Sequence, residues 1–251
     1  MAADARATEQ KTYWEAATET AWGCYLSDAE QRVLLQALAL APEGDAMDLG
    51  CEGGRWSRHL VARGGSTICV DVDPATLELC GRRLPEATCV LVDRGDQVIP
   101  ADDGQLALLL IYEVAPVTNA AWLPAEAARV LRPDGILVFS DYNPASIRAI
   151  VRRGAAVLDA RRRSGEFYRG PTYRRLRTTL TCHGLESIYE EGLARAPFTR
   201  ISHSRLIPVC IHLQGALGLR RLVTASPWVL AIARRRASPH DALTSGSVRQ
   251  G

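Results

Sequence analysis

The chain has 251 residues, with 30 Lys/Arg against 28 Asp/Glu, a net charge of +2, and 47% hydrophobic side chains. That balance is ordinary for a globular domain and excludes intrinsic disorder, collagen-like repeats and coiled coil. The near-neutral total hides a split: residues 1–140 hold 21 acidic and 11 basic side chains, whereas residues 141–251 hold 7 and 19.

Residues 1–8 read as frayed, and helical signals begin around Glu9. Ser27-x-x-Glu30 has the spacing of a capping box and predicts a helix start, with Val33, Leu34, Ala37 and Leu38 on its apolar face. Pro42 and Gly44 close that helix. Short apolar runs then alternate with helical patterns. Ala46–Leu49 reads as a first strand, followed by a helix carrying Trp56 and Leu60 and broken by Gly64-Gly65. Thr67–Val72 is a second strand. Asp73-Pro74 opens the next helix, with Asp as cap and Pro at its first position. Thr88–Val92 and Leu106–Tyr112 are strands three and four. The fourth is apolar throughout, as a strand buried on both faces should be.

A helix over Leu123–Leu131, a turn at Arg132–Gly135 and a strand over Ile136–Ser140 follow. Asn143-Pro144 repeats the cap-plus-Pro start. A helix near Tyr173–Cys182 ends at Gly184, Leu185–Ile188 is strand six, and Trp228–Ala233 is the last strand. This alternation predicts an α/β fold with a doubly wound, mostly parallel sheet. Residues 1–44 form a helical segment able to close over a site. Residues 45–235 form the main domain, with substrate-side insertions near 144–170 and 195–226, and 236–251 is a polar tail.

The N-terminus is too polar for a signal peptide, and no 20-residue apolar span occurs. Seven cysteines, odd in number and without CxxC or Cys/His ligand spacing, argue against a disulfide framework or structural zinc. A soluble cytoplasmic protein without a bound metal is expected.

Ligands of such sheets bind beyond the carboxyl ends of the strands. There the sequence places Gly50, Gly53 and Gly54, which allow tight turns and close backbone approach. It also places an acid after each of the first three strands: Asp48, Asp71 and Asp93. A carboxylate after strand two can accept hydrogen bonds from both hydroxyls of a ribose, and one after strand three can accept from an adenine amino group. The dinucleotide pattern GxGxxG is absent. A crevice rimmed with acids suits a ligand bearing hydroxyls, ammonium and sulfonium rather than a pyrophosphate.

The ordered blocks DLGCEGGRW (48–56), VDVDP (70–74), LVD (91–93) and EAARVLRPDGILVFS (126–140) resemble class I S-adenosylmethionine-dependent methyltransferases, in particular the type 11 group. The resemblance covers about residues 45–141 and implies a seven-stranded Rossmann-like sheet with an antiparallel last strand. It implies S-adenosylmethionine as cofactor, with Asp48, Gly50, Gly53 and Gly54 around the methionine portion. Asp71 falls on the ribose, Val72 against the adenine, and Asp93 and Arg94 beside it. Ile111, Tyr112 and Glu113 fall near the sulfonium. Glu52 stands where the group has its second glycine, so either the loop geometry differs or a carboxylate faces the cofactor's ammonium. Tyr13, Trp14, Trp22 and Tyr25 precede strand one, where such chains often close a lid; Tyr13 and Trp22 are the expected contacts.

Glu113 and His203 are the candidate bases; His183 reads as a helix-end cap. Residues 148–177 contain ten Arg against Asp159 and Glu166. That block is read as a solvated helix face, a site for an anionic small molecule or lipid, or, least favoured, a nucleic-acid contact. The expected activity is methyl transfer to a small molecule, most readily at oxygen. An RNA or protein methyltransferase, or a silent binding subunit on the same fold, are the alternatives.

Overall fold

The computed structural model describes residues 11–151, 170–196 and 198–237. The expected frayed start, the polar tail and most of the Arg block lie outside the described residues. In chain order the elements are α1 (Tyr13–Ala17), α2 (Ala21–Leu40), β1 (Asp45–Leu49), α3 (Ser57–Arg63), β2 (Thr67–Asp71), α4 (Pro74–Arg83), β3 (Thr88–Leu91), β4 (Leu106–Ile111), α5 (Ala115–Thr118), α6 (Leu123–Val130), β5 (Leu131–Tyr142), α7 (Tyr173–Cys182), β6 (Leu185–Leu193), α8 (Ile207–Ala216) and β7 (Trp228–Arg235).

One seven-stranded sheet runs β3-β2-β1-β4-β5-β7-β6. The first five strands pair in parallel, and β7 inserts antiparallel between β5 and β6. The order reverses between β1 and β4, which opens a crevice at their carboxyl ends. All six residues of β4 are buried. Its period of two sends Leu108 and Leu110 into the layer shared with Trp22, Val33 and Leu34, and Leu109 and Ile111 into the layer shared with Leu123, Tyr173 and Leu176.

Two local expectations are corrected. Ser27 and Glu30 do not start a helix; they lie inside α2, whose cap is Thr20, its side chain accepting from Gly23 N–H. Their spacing instead serves a buried face: Ser27 Oγ accepts from Arg55 at 2.9 Å, and the Glu30 carboxylate meets two arginines. The capping box of this region is Thr12 with Glu15, at the start of α1. The turn at Arg132–Gly135 sits within β5. Leu106 pairs with Leu131 and Leu108 with Ile136, so the four residues bulge out where β4 advances by two. Asp134 takes a left-handed backbone there, with φ 63°. Asn143 caps the turn that follows β5, its Oδ1 accepting from Ala145 N–H at 3.1 Å.

Because β4 is covered on both faces, Leu109→Ala is expected to lower unfolding free energy by about 2–5 kcal/mol, read by urea denaturation. The same change at the half-exposed Leu91 of edge strand β3 should cost less than ~0.5 kcal/mol.

Candidate active site

A cavity of about 760 Å³ opens at the carboxyl ends of β1, β2, β3 and β4, within the size range of small-molecule sites. Its wall begins with the loop after β1. Gly50 has φ 88°, and a side chain there would press into Val114, with a Cβ only 2.3 Å from Cγ2. Glu52, in the position where glycine was expected, also takes left-handed backbone, with φ 49°. That conformation is what favours glycine there. Two contacts hold the glutamate in it: its N–H donates to Asp71 Oδ2 at 2.8 Å, and its Oε2 accepts from Thr12 Oγ1 at 2.8 Å. Burial pushes the Glu52 carboxyl above its ordinary range, against the pull of the Thr12 hydrogen bond.

Asp71 is the joint between the first two strand ends. Its Oδ1 accepts from the N–H groups of Val72 and Asp73, at 2.7 and 3.0 Å, while Oδ2 accepts from Glu52. An ionised carboxylate offers about four acceptor positions, so about one remains open. The sequence reading gave this side chain both ribose hydroxyls; the geometry leaves room for one conventional hydrogen bond.

Beyond β4 the wall backs onto a buried charge cluster, of which Arg55 and Glu113 reach the cavity lining. Glu30 of α2 is fully buried and meets Arg55 and Arg200, each at 3.3 Å. Arg200 also pairs with Glu113, two residues past the end of β4. Burial is the larger influence on both Glu30 and Arg200, raising the carboxyl and lowering the guanidinium, and the attraction between them opposes it. Trp14 and Trp228 each lie 5.0 Å from the Arg200 guanidinium, an arrangement that stabilises a desolvated cation. Glu113 has φ 62°, and its N–H donates to Ser140 Oγ at 2.7 Å.

Of the expected residues, Gly50, Glu52, Asp71, Val72, Asp93, Arg94, Tyr112 and Glu113 line the cavity. Asp48 does not: it is buried behind the loop, bound to Ser57 Oγ at 2.6 Å. Gly53 and Gly54 also stand behind the wall, and a Cβ at either would meet α4, Arg83 and Leu79 at Gly53, Leu84 and Cys80 at Gly54. Ile111 points into the core, because the residue before Tyr112 in a strand faces the other way.

The aromatic contact falls to Trp14 rather than Tyr13 or Trp22. Tyr13 is exposed, and Trp22 is buried against Tyr25 and Phe198. His203 is exposed and outside the cavity lining. His183 sits at the end of α7 with Nδ1 2.9 Å from Thr179 O, as a cap would. Sequence reasoning missed Arg55, Trp56 and the loop Gln97–Pro100 as wall residues; the only signal was their position after strand ends one and three. Three of the seven cysteines, Cys51, Cys69 and Cys80, come together beneath the loop.

Residues 47–139 match the family model described as "Methyltransferase domain". An uncharacterized methyltransferase of Mycobacterium tuberculosis is 34% identical over 91 residues, 36% of this chain and 37% of that protein. A demethylmenaquinone methyltransferase of Tropheryma whipplei is 25% identical over 122 residues, 47% of this chain and 51% of that protein. The chain thus spans from about a third to about half the length of the curated relatives it matches. Among solved structures, the geranyl diphosphate C-methyltransferase of Streptomyces coelicolor superposes with TM-score 0.56 at 16% identity, covering 84% of this chain and 80% of that one; its complex holds Mg2+, geranyl diphosphate and S-adenosyl-L-homocysteine. By sheet order the chain has the Rossmann-like fold of these methyltransferase structures, and residues 47–139 carry the domain match.

Burial raises the Asp48 carboxyl from 3.8 to about 7, partly opposed by the Ser57 hydrogen bond. Between about pH 4 and pH 7 the unfolded chain carries this group ionised while the folded chain keeps it protonated, so its contribution to stability falls as pH rises through that window. Asp48→Asn should therefore gain Tm relative to the parent chain from about pH 4 to about pH 7, measured by thermal unfolding. A constant difference across that range would mean that Asp48 is ionised throughout.

Proposed function

We propose that the chain transfers a methyl group from S-adenosylmethionine to an oxygen of a small acceptor that is anionic or lipid-linked. The observation that carries this reading is the single cavity shared by Gly50, Glu52, Asp71, Tyr112 and Glu113 at the strand-order reversal. The residues fit the cofactor. Asp71 keeps an acceptor position for a ribose hydroxyl, Val72 and Val92 offer apolar surface to an adenine, and Gly50 stands in the lining beside them. S-adenosylmethionine supplies a methyl group on a good leaving group, so the protein's task is alignment and the exclusion of water. Trp14, on the segment before β1, covers the cavity as a lid would.

Glu113 is held by Arg200, and no histidine lines the cavity among the described residues. An acceptor oxygen that arrives ionised needs neither Glu113 nor a histidine to remove its proton. Acidic phenols, enols and carboxylates meet that condition. Arg55 and Arg94 are the two arginines of a wall that also carries Glu52, Asp71, Asp73, Asp93, Asp96 and Glu113, so an anionic group is best met on their side of it. A lipid-linked acceptor is supported by α8 and its flanks, where Leu206, Val209, Leu213 and Leu217 form an exposed apolar stripe beside Arg205 and Arg221. The names of the relatives above, with demethylmenaquinone and geranyl diphosphate, point the same way. No helix among the described residues is long and apolar enough to cross a membrane. Thiols unpaired among the described residues fit a reducing compartment such as the cytoplasm.

The test is release of S-adenosylhomocysteine over a panel of prenylated and unprenylated phenols, enols and carboxylates. Turnover is expected to follow ionisation of the acceptor. Glu113→Gln, which strips Arg200 of a counter-charge, should lower kcat/KM by at least ~10-fold, about 1.4 kcal/mol. His203→Ala should leave kcat/KM within about two-fold, since surface changes rarely act at a distance. Binding of the cofactor without turnover on any acceptor would favour the binding-subunit alternative.

A further inference from the structure

Under the cavity floor, three thiols from three different elements converge. Cys51 directly follows Gly50 in the loop after β1, Cys69 is central in β2, and Cys80 is on the inner face of α4. All three are buried, and their Sγ atoms lie within 4.8 Å of one another. None is joined in a disulfide. The surrounding side chains are Leu77, Leu84, Ala87 and the partly buried Cys89.

Such a triangle has the dimensions of a coordination site. Three thiolates placed about 2.3 Å from a common ion stand roughly 4 Å apart. A disulfide would use only two of the three sulfurs. Thiolate ligands select soft ions; the rim is mainly apolar, with the Glu52 carbonyl 3.6 Å from Cys51 Sγ and Ser57 beside Cys69 as its nearest oxygen groups. The pocket is also reachable, because Cys51 lies on the cavity wall as well as in the triangle.

We propose that Cys51, Cys69 and Cys80 form a binding site for a single soft, thiophilic metal ion of the Cu(I) or Cd(II) type. Binding breaks up to three S–H bonds, forms three metal–sulfur bonds and releases the protons to solvent, with no change of oxidation state. The ion ties the loop Gly50–Gly54 to β2 and α4 through Cys51. The consequence for the cofactor rests on the functional reading above, but the site itself does not.

The experiment uses the full chain without cofactor, in a background where the exposed Cys24 and Cys182 and the partly buried Cys210 are replaced by serine. Cd(II) is titrated in and followed by thiolate-to-metal absorption in the near ultraviolet, with the bound metal counted by elemental analysis. The expected result is one ion per chain, a raised Tm, and affinity at least ~10-fold lower in each of Cys51→Ser, Cys69→Ala and Cys80→Ala. Cys51→Ser is a near-isosteric change in a loop that also borders the cavity, so it keeps the test readable should a variant in β2 or α4 fail to fold. No charge-transfer absorption in the background chain, or absorption undiminished in Cys51→Ser, overturns the proposal. Since S-adenosylmethionine is absent, failure here is distinct from failure of the methyltransferase reading.

Discussion

The geometry of the site depends on one carboxylate. Asp71 ends β2, and its two oxygens take N–H groups from its own turn and from the loop after β1. Parallel strands β1 and β2 are joined along their length by backbone pairing, which runs on into the loop where the Gly50 and Cys51 N–H groups donate to Val70 O. The Asp71 carboxylate carries the connection one residue further, to Glu52. It also holds Glu52 in a left-handed backbone that a glutamate would otherwise avoid. Gly50 thereby stands in the cavity lining, packed on Val114, and Gly53 and Gly54 pack toward α4. A charge-assisted bond of this kind is stronger than its neutral equivalent, which suits a loop that has to hold its shape before a ligand arrives.

The far wall relies on a second set of charges, contributed by segments distant in sequence. Glu30, Arg55, Glu113 and Arg200 come from α2, the first loop, the end of β4 and the insertion before β7. The cluster joins the acidic part of the chain to the basic part. The charge split seen in the sequence is thus partly internal: Arg200 neutralises carboxylates of the cofactor half instead of facing solvent. Trp14 and Trp228 enclose that guanidinium, so the segment before β1 and the last strand are drawn to the same point. Removing one partner from so buried a group leaves the other uncompensated.

Much of the fold was legible because it rests on local pattern. The uniform apolar run of β4, the Asp73-Pro74 helix start and the glycine breaks at Gly64-Gly65 and Gly184 all reflect backbone rules that act within a few residues. The acids at strand ends two and three were legible for the same reason. What failed was whatever depends on facing direction or on distant partners. Tyr13 and Trp14 are adjacent, and helical geometry turns their side chains about 100° apart, so naming the wrong one required only a small error of phase. Asp48 and Ile111 sit on strands, where a shift of one residue reverses the face. Ser27 and Glu30 carry a capping pattern that a buried ion cluster satisfies equally well. Arg200 meets Glu30 across 170 positions, and Cys51, Cys69 and Cys80 meet only because a loop, a strand and a helix stack. No spacing rule reaches those contacts.

The central claim is that the cavity at the ends of β1–β4 binds the adenosyl cofactor through a rim organised by Asp71. Calorimetric titration of the chain with S-adenosylhomocysteine tests it most directly. The account predicts one site per chain in the parent protein, with affinity reduced by at least ~10-fold, about 1.4 kcal/mol, in Asp71→Ala. No binding by the parent chain, or binding unchanged in the variant, would contradict it.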